Sequence, residues 1–166
     1  MNNAGFWAAL VIFLLTFCFS VAVFLRWIQL GVPAGQLFLH HWFSWAGAVF
    51  IAVFTPAYRV LKRRYPRRTK TLVRIHVFGG LFSFMLISNH IAYQLGRPVQ
   101  AYPELGTGIS LFMIALILTV TGFIHRFGLA TGKSQVAHVN RYVHVALTLS
   151  FYIVVIVHAM RNSRIL

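Results

Sequence analysis

The sequence contains a single acidic residue, Glu104, and a single cysteine, Cys18, among its 166 residues. One carboxylate excludes the paired acids on which glycosidases and aspartic proteases depend. One thiol excludes a disulfide framework and any cysteine-based zinc or iron–sulfur site within this chain. Charged residues make up 10% of the chain, against about 25% in soluble domains. The composition therefore also excludes an ordinary soluble fold.

Apolar segments take the place of the missing charge. Hydrophobic residues account for 59% of the chain, and they form five stretches of about 20 residues, the length that crosses a hydrocarbon core of about 30 Å. The first stretch lacks the basic n-region of a signal peptide, so we interpret it as a retained helix. The sequence predicts an all-α membrane protein, with one integral membrane domain over residues 1–166 and a bundle of five transmembrane helices. The predicted helices are Phe6–Leu25, Leu37–Tyr58, Ile75–Leu95, Leu105–His125 and Tyr142–Met160.

The fifteen lysines and arginines give the chain a net charge of +14. They occur in short runs between the apolar stretches, and no DNA-reading motif is present, so we do not expect a nucleic-acid partner. Anionic lipid is the expected counter-charge.

The distribution of these basic residues predicts an orientation, because short cytoplasmic loops carry the excess of lysine and arginine. Eight lie in the predicted loop between residues 59 and 74, and three more follow the fourth helix. The opposite side has four, namely Arg26, Arg97, Arg161 and Arg164. The side with eleven is predicted to be cytoplasmic, which places the N-terminus in the cytoplasm and the protein in the plasma (inner) membrane.

Eight histidines are present, and histidine within a membrane span is costly enough to indicate a function. His76 and His90 on the third predicted helix are fourteen residues apart, and so are His144 and His158 on the fifth. Fourteen residues are close to four helical turns, so each pair shares a helix face and spans about 21 Å. The third and fifth helices run parallel, so His76 is predicted at the depth of His144, and His90 at the depth of His158.

Two imidazoles from different helices at one depth are what a bis-histidine haem iron requires. Zinc favours three or four convergent ligands, and neither depth offers a carboxylate or a thiolate. The sequence therefore predicts two b-type haems. They are expected to be non-covalent, because the chain has no C-x-x-C-H motif.

Residues beside these histidines are compatible with haem binding. Gly79 and Gly80 lie one turn beyond His76, where small residues let a porphyrin approach or let helices pack closely. Haem propionates favour arginine partners, although each arginine here also serves as a topology signal or a lipid contact. The candidate propionate ligands are Arg74, Arg141 and Arg161.

The remaining four histidines lie outside the two fourteen-residue pairs. His40 and His41 open the second helix on the outer side, and we expect one of them, with His41 taken as the candidate, to contact the outer haem. There it would hold a propionate, donate a proton or serve as an alternative ligand. His125 closes the fourth helix and His138 is assigned to a loop, so both are interpreted as interfacial.

This arrangement of His76, His90, His144 and His158 resembles the ferric-reductase-like transmembrane domain of ferric reductases and NADPH oxidases. It is also similar to the haem-bearing membrane subunit of the bacterial methionine sulfoxide reductase system. The resemblance covers about Leu37 to Arg161 and implies a two-haem path between a cytoplasmic reductant and an outer acceptor. The chain departs from the family in having five helices rather than six and in lacking a flavin or nicotinamide domain.

The function predicted is therefore transmembrane electron transfer by the cytochrome b subunit of a membrane oxidoreductase, rather than by a complete enzyme. Its electron donor is a separate redox protein, such as a flavoprotein, or a membrane quinol. The alternative is a structural or transport subunit in which the histidines line a proton or metal path, for which carboxylates near the midplane are expected.

Overall fold

The computed structural model describes residues 3–101, 106–127 and 135–162. Helices make up 88% of these residues, and five of the described helices are long and apolar enough to cross a membrane. The predicted all-helical class and the number of candidate spans are confirmed. The helices are α1 (Asn3–Phe24), α2 (Leu39–Arg64), α3 (Thr69–Leu95), α4 (Gly106–Phe127) and α5 (Gln135–Asn162).

The basic segment between residues 59 and 74 is mostly helical, so its prediction as a loop was wrong. Helix α2 continues to Arg64 and α3 begins at Thr69, with a short 3₁₀ helix, Pro66–Arg68, between them. Lysine and arginine are good helix formers, and the basic residues in the last turn of α2 complement the negative end of its dipole. Pro66 lacks the N–H needed to continue α2, which accounts for the break.

Helix α5 also begins earlier than predicted, at Gln135 rather than Tyr142. His138 therefore lies in a helix, and its assignment to a loop was wrong. The prediction followed the apolar residues, which mark the part of a helix that crosses the lipid. The first turns of α5 are polar, so they were not included. His40 and His41 do lie in the first turn of α2, and His125 lies in the last turn of α4, as predicted.

A small hairpin precedes α2. Strands β1 (Pro33–Ala34) and β2 (Leu37–Phe38) pair antiparallel across a two-residue turn. Gly35 in that turn has a φ of +69°, a conformation that glycine adopts without strain. The indole of Trp42 donates a hydrogen bond of 2.8 Å to the Ala34 carbonyl and ties the hairpin to α2.

Helix packing divides the chain into two units. Helices α1, α2 and α3 form the first. Helices α2 and α3 approach closely at Gly47, where an added Cβ would lie 2.8 Å from the Ser83 carbonyl oxygen. Helix α1 packs on α3 through Phe13 and Phe84, whose ring centroids are 6.3 Å apart and nearly parallel. A glycine is thus needed where the α2 and α3 backbones meet.

Helices α4 and α5 form the second unit. The Asn140 amide of α5 donates a hydrogen bond of 2.9 Å to the Thr121 carbonyl of α4. Leu111, Ala115 and Thr121 on α4 are buried, as is Phe151 on α5. Two further side-chain contacts, described below, show that α4 and α5 are antiparallel.

Candidate functional site

All four predicted haem ligands lie in uninterrupted helices. His76 and His90 belong to α3, and His144 and His158 belong to α5. All four side chains are half-buried. Because the helices are continuous between the histidines, each pair spans about 21 Å at 1.5 Å per residue. The pairing of α3 histidines with α5 histidines joins different units and stays a prediction.

His144 has a hydrogen-bond partner on the neighbouring helix. Its Nδ1 lies 2.9 Å from the Thr121 hydroxyl oxygen. That hydroxyl also lies 2.7 Å from the Ile117 carbonyl oxygen and 3.1 Å from the Leu118 carbonyl oxygen. A threonine hydroxyl has one hydrogen to donate, and a carbonyl only accepts. The hydroxyl therefore donates to its own helix and accepts from His144, which places the imidazole proton on Nδ1.

His158 has the same kind of partner. Its Nδ1 lies 2.9 Å from the Thr107 hydroxyl oxygen. Thr107 and Thr121 are fourteen residues apart on α4, as His144 and His158 are on α5. The two contacts therefore sit at opposite ends of one antiparallel helix pair. Neither threonine was predicted as a site residue, although their fourteen-residue spacing matches that of the α5 histidines and is visible in the sequence.

His90 contacts the start of α2. Its Nδ1 lies 3.1 Å from the His40 carbonyl oxygen and 3.1 Å from the His40 Nδ1. Because the carbonyl can only accept, His90 carries its proton on Nδ1 and donates from there. His40 is 2% exposed, so this contact is in the interior of the unit.

Further rings surround the His40–His90 contact. Tyr93 stacks on His40 at a centroid distance of 4.2 Å, and the Arg26 guanidinium lies 4.4 Å from the Tyr93 centroid. The His41 ring lies 4.0 Å from that of His40 and 5.4 Å from that of His90. Of the two histidines opening α2, the more buried one is thus His40, whereas the sequence analysis selected His41. Within the described residues, His41 Nδ1 is a buried atom with no hydrogen-bond partner.

His76 lies against an aromatic row on α2. The Tyr58 ring stacks on the His76 imidazole, with centroids 4.7 Å apart and planes 10° apart. Phe54 and Phe50 continue the row at four-residue intervals toward the middle of α2. The Phe50 ring occupies the space beside Gly79, whereas no atom lies within 4 Å of a Cβ added to Gly80. Gly79 therefore serves helix packing, and Gly80 is the position that leaves open space.

The candidate propionate ligands are all exposed. Arg74 lies two residues before His76 on α3, and Arg141 and Arg161 lie three residues outside His144 and His158 on α5. Arg97, which follows the end of α3, donates a hydrogen bond of 3.2 Å to the Gln94 side-chain oxygen. Glu104 and Lys133 lie outside the described residues.

The donor chemistry of these histidines fits haem iron. A histidine protonated at Nδ1 presents an unprotonated Nε2, which is the nitrogen able to bind a metal. The hydrogen bonds assign this form to His90 and His144, and partners of this kind orient metal-bound histidines generally. Among the described residues, no cluster of three or more histidine, cysteine or acidic side chains is arranged to hold a metal ion.

Comparisons with known proteins found no matching protein-family model, no matching curated protein and no matching solved structure.

Proposed function

We propose that this chain is a cytochrome b subunit that carries electrons across a membrane through two non-covalent b-type haems. The observation that carries the proposal is that His76 and His90 lie on one continuous helix, α3, and that His144 and His158 lie on another, α5. Identical spacing on α3 and α5 gives two ligand depths about 21 Å apart. The proposed pairs are His76 with His144 on the cytoplasmic side and His90 with His158 on the outer side.

The haems supply one-electron redox chemistry when bound, and the chain supplies ligands, orientation and an apolar surrounding. His90 and His144 are protonated at Nδ1, so each offers Nε2 as an iron ligand. Gly80 leaves open space near His76. Arg74, Arg141 and Arg161 are proposed to bind propionates, because guanidinium groups bind carboxylates bidentately. His41, whose buried Nδ1 has no hydrogen-bond partner among the described residues, is proposed to contact the outer haem.

Five apolar helices support a multi-pass membrane location. We further propose the plasma membrane, with the N-terminus in the cytoplasm, from the excess of basic residues between residues 59 and 74. The proposed electron donor is a flavoprotein, another redox subunit or a quinol. The resemblance to ferric-reductase-like membrane domains is part of this proposal and rests on the four histidines alone.

The direct test is the visible spectrum of the purified chain. Dithionite-reduced minus oxidised spectra are expected to show a b-type α-band, and pyridine haemochrome analysis is expected to give about two haems per chain. His125→Ala is the control for variants of the proposed ligands and is expected to keep the α-band, because His125 is an exposed histidine at a helix end. A chain purified from haem-replete cells without an α-band would overturn the proposal.

A second candidate function, a proton or metal path, has one observation in its favour. His40, His41 and His90 form a cluster of rings with two Nδ1 atoms 3.1 Å apart, and adjacent imidazoles are able to relay protons. Liposomes containing the His90→Ala and His158→Ala variants separate the two functions. Ion movement lost without any change in haem content would favour the path, whereas haem loss without ion movement would favour the cytochrome.

A further inference from the structure

Two threonines on α4 carry the same fourteen-residue spacing as the histidines of α5. Thr107 faces His158 and Thr121 faces His144, each at 2.9 Å from the imidazole Nδ1. We propose that Thr107 and Thr121 are positioning residues that hold these imidazoles in the tautomer and orientation needed for iron binding. The inference rests on the proposed haem function, although its first prediction concerns the protein without haem.

The hydrogen-bond directions are assigned most firmly at Thr121. Its hydroxyl donates to the carbonyl oxygens one turn back on α4, so the imidazole of His144 must be the donor in the contact between the helices. Thr121 is 7% exposed, so water does not readily replace it as the acceptor. The Nδ1–H of His144 is thereby directed toward α4.

The imidazole of His144 also lies close to the α4 backbone at Gly122. An added Cβ at Gly122 would lie 3.3 Å from the His144 Cε1, which is closer than ordinary van der Waals contact. The Asn140 amide donates to the Thr121 carbonyl and joins α5 to α4 one turn before His144. Thr121 and Gly122 thus lie against the imidazole from α4, and the Asn140 hydrogen bond holds α5 beside them.

A hydrogen-bond acceptor at Nδ1–H also changes the electronic character of the ligand. The acceptor makes the imidazole more basic, and a more basic ligand stabilises the ferric state. Removal of the Thr121 hydroxyl is therefore expected to raise the midpoint potential of one haem. It is also expected to weaken haem retention about tenfold or more, the usual effect of losing such a partner.

The first experiment measures the histidine tautomer in the full-length, haem-free protein. Nitrogen-15 spectra, recorded at a pH where imidazoles are neutral, are expected to show His144 protonated at Nδ1. The His144→Gln variant assigns the signal. Thr121→Val is expected to reduce the Nδ1-protonated population and Thr121→Ser to restore it. An unchanged tautomer in Thr121→Val would overturn the inference, whatever the protein does with haem.

The second experiment measures haem retention and midpoint potential in the purified holoprotein. Thr121→Val is expected to release one haem about tenfold faster to excess apomyoglobin and to raise its potential, with recovery in Thr121→Ser. Thr107→Val is expected to affect the other haem. The matched control is Thr119→Val, because within the described residues the Thr119 hydroxyl bonds only the Ala115 carbonyl of its own helix. If Thr119→Val and Thr121→Val have equal effects on haem release and midpoint potential, Thr121 contributes only to helix stability.

The two experiments distinguish the inference from the proposed function. If the wild-type chain binds no haem but the tautomer of His144 still depends on Thr121, the cytochrome proposal is overturned. The role of Thr121 in positioning His144 then still stands. If the wild-type chain binds two haems, and neither Thr107→Val nor Thr121→Val changes haem retention or midpoint potential, the cytochrome proposal stands and the threonines have no positioning role.

Discussion

The Nδ1 atom of His90 lies 3.1 Å from both the backbone carbonyl oxygen and the Nδ1 atom of His40. The carbonyl contact assigns the proton to His90 and ties α3 to the first turn of α2. The acceptor belongs to the backbone, so substitution of the His40 side chain need not remove it. A variant of His40 can therefore lose the imidazole and still provide the backbone acceptor for His90, the proposed haem ligand.

We predict that His40→Gln retains two haems per chain, whereas His90→Gln retains one. In His40→Gln the backbone carbonyl still accepts the hydrogen bond from His90, so the proposed ligand keeps its Nδ1 partner. Pyridine haemochrome analysis of both purified variants measures the ratio of haem to protein. Loss of a haem in His40→Gln, with two haems in His90→Gln, would make His40 the ligand.

Ligand pairing predicts a specific non-additive pattern. His76→Ala and His144→Ala are each expected to remove one haem, and the double variant is expected to remove that same haem and no more, because both ligands serve one iron. The effects of substitutions at two residues that serve the same site do not add. By contrast, His76→Ala combined with His158→Ala is expected to remove both haems.

The control for this series is His138→Ala, an exposed histidine near the start of α5. It is expected to retain both haems. Loss of both haems in the His76→Ala and His144→Ala double variant, with one haem in each single variant, would show that the two histidines belong to different haems.

The central parts of the helices were predictable from the sequence, whereas their ends were not. Apolar length is a direct requirement of the hydrocarbon core, and it located all five spans. The ends of α2 and α3 depend instead on helix propensity, the helix dipole and Pro66, which hydropathy does not measure. His138 was misassigned for the same reason, because it lies in the polar first turns of α5.

The histidine spacing was visible in the sequence because one residue type recurs at one interval. The partners of these histidines were harder to find. Threonine is common in membrane helices, so the fourteen-residue spacing of Thr107 and Thr121 gains its meaning only from the register between α4 and α5, which sets them against His158 and His144. Adjacent positions at a helix start do not show which of His40 and His41 is the more buried, since that depends on how α2 packs against α3.

The close approach of α2 and α3 predicts a stability effect at Gly47. Gly47→Ala would place a Cβ 2.8 Å from the Ser83 carbonyl oxygen and 3.1 Å from Ile87 Cγ1, so the helices must separate. Overpacking of this kind costs about 1–3 kcal/mol, which denaturant unfolding in detergent micelles is expected to detect. Gly5→Ala on α1 is the control, because no atom lies within 4 Å of its added Cβ. Equal stability of the two variants would show that α2 and α3 do not pack this closely.

The orientation of the chain is predicted from its basic residues and is open to a labelling test. Cys18 is the only cysteine, so Cys18→Ser gives a background without reactive thiols. Tyr65 and Gln100 are both exposed and lie beyond opposite ends of α3. A single cysteine at either position therefore reports one side of the membrane.

Intact spheroplasts treated with a membrane-impermeant maleimide are expected to label Gln100→Cys and to leave Tyr65→Cys unlabelled until the membrane is permeabilised. The physical reason is that the basic residues flanking Tyr65 on α2 and α3 are retained on the cytoplasmic side. Labelling of Tyr65→Cys in intact spheroplasts would invert the orientation, and with it the assignment of His76 to the cytoplasmic haem and His90 to the outer one. The helix pairing would be unaffected, because it depends on the register within α3 and α5 rather than on which end faces the cytoplasm.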